Sequence, residues 1–197
     1  MSYKKHLKKD SQLATILKGD SHVLALQKNI PIRLMGSIIS QQLSTKVAAI
    51  IYNRFLALYP GKKPTLLKVL ATPAETLRAI GISYAKINYI YAVARFCTVH
   101  KITDKKLQQL TDTEIIDLLV QIKGVGKWTV EMLLMFSLAR ENVFAVDDLG
   151  IQQAMTKLYD LDPANKKQLK INMLTIAEAW SPYKTYACLH LWGWKDA

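Results

Sequence analysis

The chain has 197 residues, half of them hydrophobic, and its 27 Lys and Arg outnumber its 15 Asp and Glu to give a formal net charge of +12. This composition excludes a disordered chain and predicts one well-packed core, or two lobes that share one. The positive charge favours a polyanionic partner, nucleic acid before anionic membrane, although a purely solubilising role stays open.

Helical patterns recur along the chain and strand patterns are nearly absent, so the sequence predicts an all-α fold of about ten short helices. The first two, at residues 32–40 and 45–58, are apolar and are separated by a polar turn. Ser44 is the expected N-cap of the second helix. Residues 32–120 and the two chain ends could pack as separate lobes, but no linker composition marks a boundary.

Capping sequences predict where the next helices begin. Thr72-Pro-Ala-Glu75 has the spacing of a capping box and opens a short helix that ends at Gly81. Ser83 is expected to cap the long helix that follows. Thr111-Asp-Thr-Glu114 is a second capping box and opens a helix over residues 112–121.

Helices are expected to continue to the end of the chain. One runs to about Leu138, and another begins at Asp148 or its neighbour and reaches about Tyr159. Asp162-Pro163 and Ser181-Pro182 each precede a pattern of helical period and are expected to start the last two helices.

The segment Ile122-Lys-Gly-Val-Gly-Lys-Trp-Thr129 joins two predicted helices. It is not a P-loop, because that motif needs a glycine five positions before Gly126, where this chain has Gln121, and Ser or Thr in place of Trp128. Its glycines would allow close approach, and the N–H groups that begin the second helix would face a DNA phosphate beside Lys123 and Lys127. The spacing predicts a helix-hairpin-helix over about residues 112–139. A tight connection between core helices, with both lysines in solvent, stays open.

The sequence contains few residues that could bind a metal ion or form a disulfide. Cys97 and Cys188 lie in apolar helical stretches far apart, which predicts buried free thiols in a reducing cytoplasm. The four histidines share no ligand spacing with each other or with the cysteines. We therefore expect no metal site built from side chains. No run of about 18 apolar residues is present either, so no membrane span is expected.

Four motifs follow one another at residues 37–48, 119–134, 143–151 and 180–192. In this order they resemble the helix-hairpin-helix DNA glycosylases, and among these the alkylation-repair branch, DNA-3-methyladenine glycosylase II. The resemblance implies a single two-lobed unit over residues 1–197, a cytoplasmic, bacterial-type enzyme that acts as a monomer on double-stranded DNA. Its implied reaction is hydrolysis of the bond between deoxyribose and a flipped alkylated purine, 3-methyladenine or 7-methylguanine, without a redox cofactor.

Two adjacent aspartates are candidates for the catalytic carboxylate of such an enzyme. The family places it three residues before an apolar residue of the following helix, which selects Asp148, three before Ile151, over Asp147. Breaking the bond builds positive charge on the sugar, which a carboxylate near C1′ stabilises while it orients the attacking water. Asp148 could also be only a helix N-cap, and the two roles are compatible.

The position of Lys127 in the hairpin predicts whether the enzyme also cuts the DNA strand. Bifunctional relatives form a Schiff base through a lysine at the second position after the last hairpin glycine. Here Trp128 occupies that position, and Lys127 comes one residue, or about 100° of helical rotation, too early. The offset predicts hydrolysis without lyase activity.

By resemblance, Trp128 and Trp192 line the base pocket, with Met132 and Tyr186 as further candidates. Aromatic faces attract the positive charge of an alkylated purine and stack on a flipped base. The alternative for Trp128 is a large residue that fills the core.

The polar turn after residue 40 aligns with the family's wedge, which fills the space left by a flipped nucleotide. Gln42 occupies the wedge position and Leu43 is the neighbouring alternative. A turn with solvated amides at Gln41 and Gln42 is the simpler interpretation. The family also implies phosphate contacts along the hairpin and a monovalent cation held by hairpin carbonyls. The hairpin residues concerned are Lys123, Gly124, Val125, Gly126, Lys127 and Thr129.

Two other functions compete with an alkylpurine glycosylase. A non-enzymatic helix-hairpin-helix DNA-binding module would need neither Asp148 nor the aromatic pair. A glycosylase for oxidised or deaminated bases, if bifunctional, would favour lysine at position 128.

Overall fold

The computed structural model describes residues 2–19 and 21–195, and every regular element in this part of the chain is helical. The all-α prediction is confirmed. A 3-10 turn at Pro60–Lys62 lies between the fourth and fifth of the α-helices. The α-helices are α1 Tyr3–Leu7, α2 Ser11–Ala14, α3 Ile30–Ser40, α4 Thr45–Ala57, α5 Leu66–Ala71, α6 Ala74–Ala79, α7 Tyr84–Val99, α8 Asp104–Gln109, α9 Asp112–Leu119, α10 Lys127–Phe136, α11 Leu149–Tyr159, α12 Lys166–Glu178 and α13 Lys184–Lys195.

Several helix starts follow the predicted caps. Ser44, Ser83 and Asp148 each accept a hydrogen bond from a backbone N–H three residues on, at the starts of α4, α7 and α11. The capping box before α9 is complete, because Thr111 accepts from the Glu114 N–H while the Glu114 carboxylate accepts from the Thr111 N–H. Each such cap stabilises its helix by ~1 kcal/mol.

Two predicted helix caps are wrong because other local hydrogen bonds prevail. The Thr72 hydroxyl donates to the Lys68 carbonyl of the preceding helix α5. Helix α6 begins directly after Pro73 and has no side-chain cap. Helix α12 is capped by the Asn165 side chain rather than started at Asp162-Pro163, where Asp162 holds a turn. Four helices of four to six residues, α1, α2, α5 and α8, were not predicted, because so short a segment shows no helical period.

The chain divides into two compact units. We call Leu26–Leu133 the internal unit, and the two chain ends, up to Ala25 and from Leu134, the terminal unit. The lobe predicted from the sequence, residues 32–120, is shorter than this internal unit at both ends.

Helix α7 is the centre of the internal unit and packs against α3 and α5, while α3 also packs against α4. Its buried face carries Ile87, Ile90, Val93, Ala94 and Cys97, a 3.6-residue repeat of apolar side chains. Cys97 is a free thiol, and burial raises its pKa to about 12. The internal unit holds 15 of the Lys and Arg against 6 Asp and Glu, so most of the net positive charge belongs to it.

In the terminal unit, α11 packs against α13 and α2. Trp180 is fully buried, and its indole N–H donates to Asp10 Oδ2 at 2.9 Å, beside the Tyr159 hydroxyl at 2.7 Å. Asp10 also caps α2, so one carboxylate joins three segments of this unit. Cys188 is a buried free thiol, as predicted.

None of the described helices is long and apolar enough to cross a membrane. Among the described residues, no three His, Cys, Asp or Glu side chains are grouped so that they could hold a metal ion.

Candidate active site

Asp148 stands at the start of α11, and its carboxylate accepts hydrogen bonds from the main chain and from Trp192. Its Oδ1 accepts from the Ile151 N–H at 2.8 Å and from Trp192 Nε1 at 2.8 Å. The first bond is a helix cap, which places the carboxylate at the positive end of the helix dipole. The second comes from α13, 44 residues away in sequence. The side chain is only half-buried, so this carboxylate is oriented and still accessible.

Because Gly150 has no side chain, the Asp148 carboxylate and the Trp192 ring can lie against its backbone. A Cβ at this position would lie 3.1 Å from Asp148 Oδ1 and 3.1 Å from Trp192 Cδ1, closer than ordinary packing allows. Glycine costs up to ~1 kcal/mol relative to alanine in a helix interior, and less in the first turn. Here that cost is offset because the indole and the carboxylate can meet over the bare backbone.

Asp147 has a different environment. It is exposed, and its carboxylate is paired with the Lys170 ammonium of α12. An exposed pair of this kind contributes ~0–1 kcal/mol and gives Asp147 a sufficient structural role. The geometry favours Asp148 as the reactive carboxylate, and its catalytic role stays a prediction.

Trp192 has an aromatic neighbour that the sequence analysis did not single out. The Phe136 ring centroid lies 5.9 Å from that of Trp192, tilted by 31°, and Phe136 is 48% exposed. A large apolar side chain so exposed beside Trp192 is a candidate for contact with a planar ligand. Its position eight residues after Trp128 in a predicted helix is the sequence signal that could have identified it.

Tyr186, a predicted pocket residue, is buried in the packing of the N-terminal helix. Its ring stacks on Tyr3 at 4.1 Å, and its hydroxyl donates to Glu141 at 2.8 Å. Burial first, and then the Glu141 carboxylate, raise the pKa of Tyr186 to about 12, so the phenol stays neutral at physiological pH. These contacts account for Tyr186 structurally, and its pocket role stays a prediction.

In the internal unit, Gly124 determines the shape of the hairpin between α9 and α10. Its φ is +90°, and a Cβ there would lie 2.2 Å from the Tyr89 ring. Gly124 is therefore required both for backbone conformation and for space. Gly126 differs, because a Cβ there would meet nothing within 4 Å. Gly126 is exposed, so contacts within this hairpin do not account for a glycine at this position.

The hairpin side chains divide into exposed and buried ones. Lys123 and Lys127 are exposed, whereas Val125 and Thr129 are buried, with the Thr129 hydroxyl inside the protein. Lys127 Nζ lies 3.6 Å from Glu131 Oε1, one turn along α10, and the Glu131 side chain is only 3% exposed. Lys127 is thus no solvated bystander, because its charge offsets a buried carboxylate.

Trp128 and Met132 are one turn apart on α10. Trp128 is 41% exposed, which excludes its interpretation as a core-filling residue. Met132 is half-buried. The two side chains share one face of the helix, as residues four apart do. Contact between this face and a flipped base stays a prediction.

The turn between α3 and α4 presents Gln42 and Leu43 outward. Both are exposed, and Gln42 has a φ of +57°. Gln41 points the other way, and its side-chain amide donates to the Gly124 carbonyl at 3.4 Å and to Thr129 Oγ1 at 3.3 Å. The interpretation of Gln41 as a solvated turn residue is therefore wrong. For Gln42 and Leu43 the wedge role stays a prediction.

The chain is similar to known DNA repair proteins. The model of the HhH-GPD superfamily of base excision DNA repair proteins matches residues 35–180. DNA-3-methyladenine glycosylase 1 of Schizosaccharomyces pombe is 37% identical over 161 residues, which are 81% of this chain and 69% of that protein. DNA-3-methyladenine glycosylase of Saccharomyces cerevisiae is 32% identical over 196 residues, 91% of this chain and 66% of that protein. The chain therefore spans about two thirds of these curated relatives.

A solved structure extends the similarity to the fold. The 3-methyladenine DNA glycosylase of Schizosaccharomyces pombe in complex with abasic DNA superposes with a TM-score of 0.86 at 30% identity. The alignment covers 100% of this chain and 98% of that one.

Proposed function

Because this chain belongs to the HhH-GPD superfamily of base excision DNA repair proteins, we propose that it is a DNA N-glycosylase that removes alkylated purines from double-stranded DNA. Its substrates in this proposal are 3-methyladenine and 7-methylguanine, and it works as a cytoplasmic monomer. The observation that carries the proposal is the Asp148 carboxylate, held half-exposed at the start of α11 by the Trp192 indole. Support comes from relatives named as DNA-3-methyladenine glycosylases and from a related structure bound to abasic DNA.

The proposed reaction is hydrolysis of the bond between the purine and C1′. As the base departs, positive charge develops on the sugar, and the Asp148 carboxylate stabilises it and orients the water that attacks C1′. Because the alkylated nucleoside is cationic, the purine departs as a neutral base, and the proton of the attacking water passes to the Asp148 carboxylate and then to solvent. Trp192 Nε1–H fixes Oδ1, so the negative charge needs little reorganisation during the reaction.

Base recognition in this proposal is aromatic and broad. Alkylation at N3 or N7 leaves the nucleoside with positive charge, which is attracted to aromatic faces such as those that Trp128 and Trp192 each carry. Such stacking contributes ~1–3 kcal/mol per base in single-strand platforms. The attraction for positive charge distinguishes alkylated purines from neutral purines, but it distinguishes poorly between one alkylated purine and another.

The hairpin supplies phosphate binding. Its exposed lysines, Lys123 and Lys127, and the N–H groups at the start of α10 suit a DNA backbone. The family also implies a monovalent cation on hairpin carbonyls. The Ile122 and Gly124 carbonyls each accept one hydrogen bond, from the Val125 N–H and the Gln41 amide. A carbonyl has two lone pairs, so each of these oxygens keeps one with which it would bind such an ion, and the ion would add positive charge next to a phosphate.

The test is chromatography of free bases released from methylated double-stranded DNA by the purified protein. We expect release of 3-methyladenine and 7-methylguanine with intact strands. DNA binding without base release would show a non-enzymatic module. Release of 8-oxoguanine or uracil, with methylated purines left in place, would assign the protein to another glycosylase class.

The same reaction under borohydride distinguishes hydrolysis from lyase chemistry. Because Trp128 stands where a Schiff-base lysine would be needed, we expect no covalent adduct between protein and DNA. A trapped adduct would overturn the assignment of Lys127 as a charge beside phosphate and partner of Glu131.

Trp192→Phe separates the two roles given to this indole. It keeps an aromatic face and loses the N–H that donates to Asp148. A hydrogen bond to a charged group contributes ~1.5–3 kcal/mol, so single-turnover base release should fall by about 10- to 100-fold. Affinity for lesion DNA should change little, whereas Trp192→Ala should lower both. A Phe variant with the wild-type rate would show that only the aromatic face matters.

A further inference from the structure

Lys86 of α7 binds the main chain at the end of α3. Its Nζ donates to the Ile39 carbonyl at 2.8 Å and to the Gln41 carbonyl at 2.7 Å. Carbonyls at a helix C-terminus lack partners within the helix and carry partial negative charge, which a lysine ammonium complements. Lys86 is half-buried, and this burial lowers its pKa. The partly desolvated ammonium is compensated by its hydrogen bonds to these two carbonyls.

Gln41 binds the same turn to the hairpin. Its amide donates to the Gly124 carbonyl and to Thr129 Oγ1, which lie on either side of the first residues of α10. Lys86 and Gln41 therefore hold one segment from two directions: Lys86 through the Gln41 carbonyl, and Gln41 through its side chain. Both residues belong to the internal unit, as does the hairpin.

The turn needs these two anchors because its own conformation is unfavourable. Gln42 adopts φ +57°, which costs a non-glycine residue ~1–2 kcal/mol. Such a conformation persists only where its surroundings determine it. Packing under Leu43 is incomplete, since Leu43 lines a cavity of ≈ 120 Å³ together with Ile51, Ile82 and Lys86. Hydrogen bonds, rather than core packing, keep the exposed Gln42-Leu43 pair in place.

We propose that Lys86 and Gln41 are positioning residues for nucleotide flipping: they hold the turn at residues 41–44 rigid, so that Gln42 and Leu43 enter the DNA stack at a fixed place relative to the hairpin. This inference rests on the proposed glycosylase function. Flipping requires unstacking of the nucleotide, and the inserted side chains stabilise the extruded state by filling its space. A mobile turn would lose conformational entropy on insertion, which would raise the barrier to flipping.

The test compares variants on two DNA substrates under single-turnover conditions. Lys86→Met keeps the side-chain volume and removes the donors, Gln41→Leu removes the amide, and Lys86→Arg keeps a cationic donor. On a methylated base in fully paired duplex, Lys86→Met and Gln41→Leu should release base about 10- to 100-fold more slowly than wild type. When the same base lies opposite an abasic site, where unstacking is easier, the deficit should shrink to a few-fold at most. Lys86→Arg should recover much of the rate on both substrates.

Lys106→Met is the matched control. Lys106 Nζ also donates to a main-chain carbonyl, that of His100, at 3.0 Å, but far from the turn in sequence. This variant loses the same charge and one comparable bond, and should release base at the wild-type rate. An equal deficit on both substrates, or an equal loss in Lys106→Met, would overturn the positioning role.

Hydrogen exchange tests the anchoring without catalysis. The amides of residues 41–44 should exchange faster in Lys86→Met than in Lys106→Met, while those of the core helix α7 stay protected. Unchanged exchange in the turn would overturn the inference even in an active enzyme. If the wild-type protein released no base from any DNA, the proposed function would fail, and exchange in the turn would still decide whether Lys86 anchors it.

Discussion

Asp148→Asn is expected to abolish release of 3-methyladenine from methylated DNA, with a single-turnover rate about 10³-fold or more below wild type. Asparagine is nearly isosteric, and its side-chain oxygen can still accept from the Ile151 N–H and from Trp192 Nε1, as the Asp148 carboxylate does. It is also as good an N-cap as aspartate. The variant therefore removes negative charge and little else, so the melting temperature and DNA affinity should remain close to those of wild type.

Asp147→Asn is the control for this prediction. It breaks only the exposed pair with Lys170, which contributes ~0–1 kcal/mol, so base release should continue near the wild-type rate. Full activity in Asp148→Asn, combined with loss in Asp147→Asn, would show that the neighbouring aspartate is the catalytic one. Loss in both would indicate that the local charge, rather than one oriented carboxylate, drives the reaction.

Gly124→Ala is expected to have the largest effect on stability. Alanine at φ +90° is strained, and its Cβ would meet the Tyr89 ring at 2.2 Å, so α9 and α10 must move apart at the hairpin. Overpacking of this kind costs ~1–3 kcal/mol, and the backbone strain adds ~1 kcal/mol. Urea unfolding should show a loss of about 2–4 kcal/mol. Fluorescence anisotropy should show much weaker binding to duplex DNA, because the displaced hairpin no longer presents its N–H groups.

Gly126→Ala separates the stability of the hairpin from its contact with DNA. A Cβ at Gly126 meets nothing within 4 Å, so the free energy of unfolding should stay within ~0.5 kcal/mol of wild type. If DNA lies against this glycine, affinity should fall although the fold is intact. If Gly126→Ala is stable and binds DNA with full affinity, no DNA phosphate contacts this side of the hairpin.

The clash predicted for Gly124→Ala can be tested with a double variant. Adding Tyr89→Ala to Gly124→Ala should restore part of the stability, because it removes the ring that the new Cβ overlaps.

The fold class and most helix starts could be predicted from the sequence because they depend on local physics. A 3.6-residue apolar repeat and a capping side chain act within four residues, which is why Ser44, Ser83 and Thr111 were identified correctly. The failures are also local in origin. Thr72 could hydrogen-bond forward or backward along the chain, and only the position of α5 made the backward bond to Lys68 the one that formed.

The sequence by itself determined an all-α protein, its hairpin glycines, its excess of positive charge and its candidate aspartate. Only the tertiary structure decided how those residues are used. It brought Trp192 onto Asp148 over Gly150, turned Gln41 inward while Gln42 faces outward, and distinguished the obligatory Gly124 from the exposed Gly126. The physical reason is the range of the interactions. Periodicity and caps join residues within one turn of helix, whereas an indole–carboxylate bond or a clash with Tyr89 depends on where another helix packs.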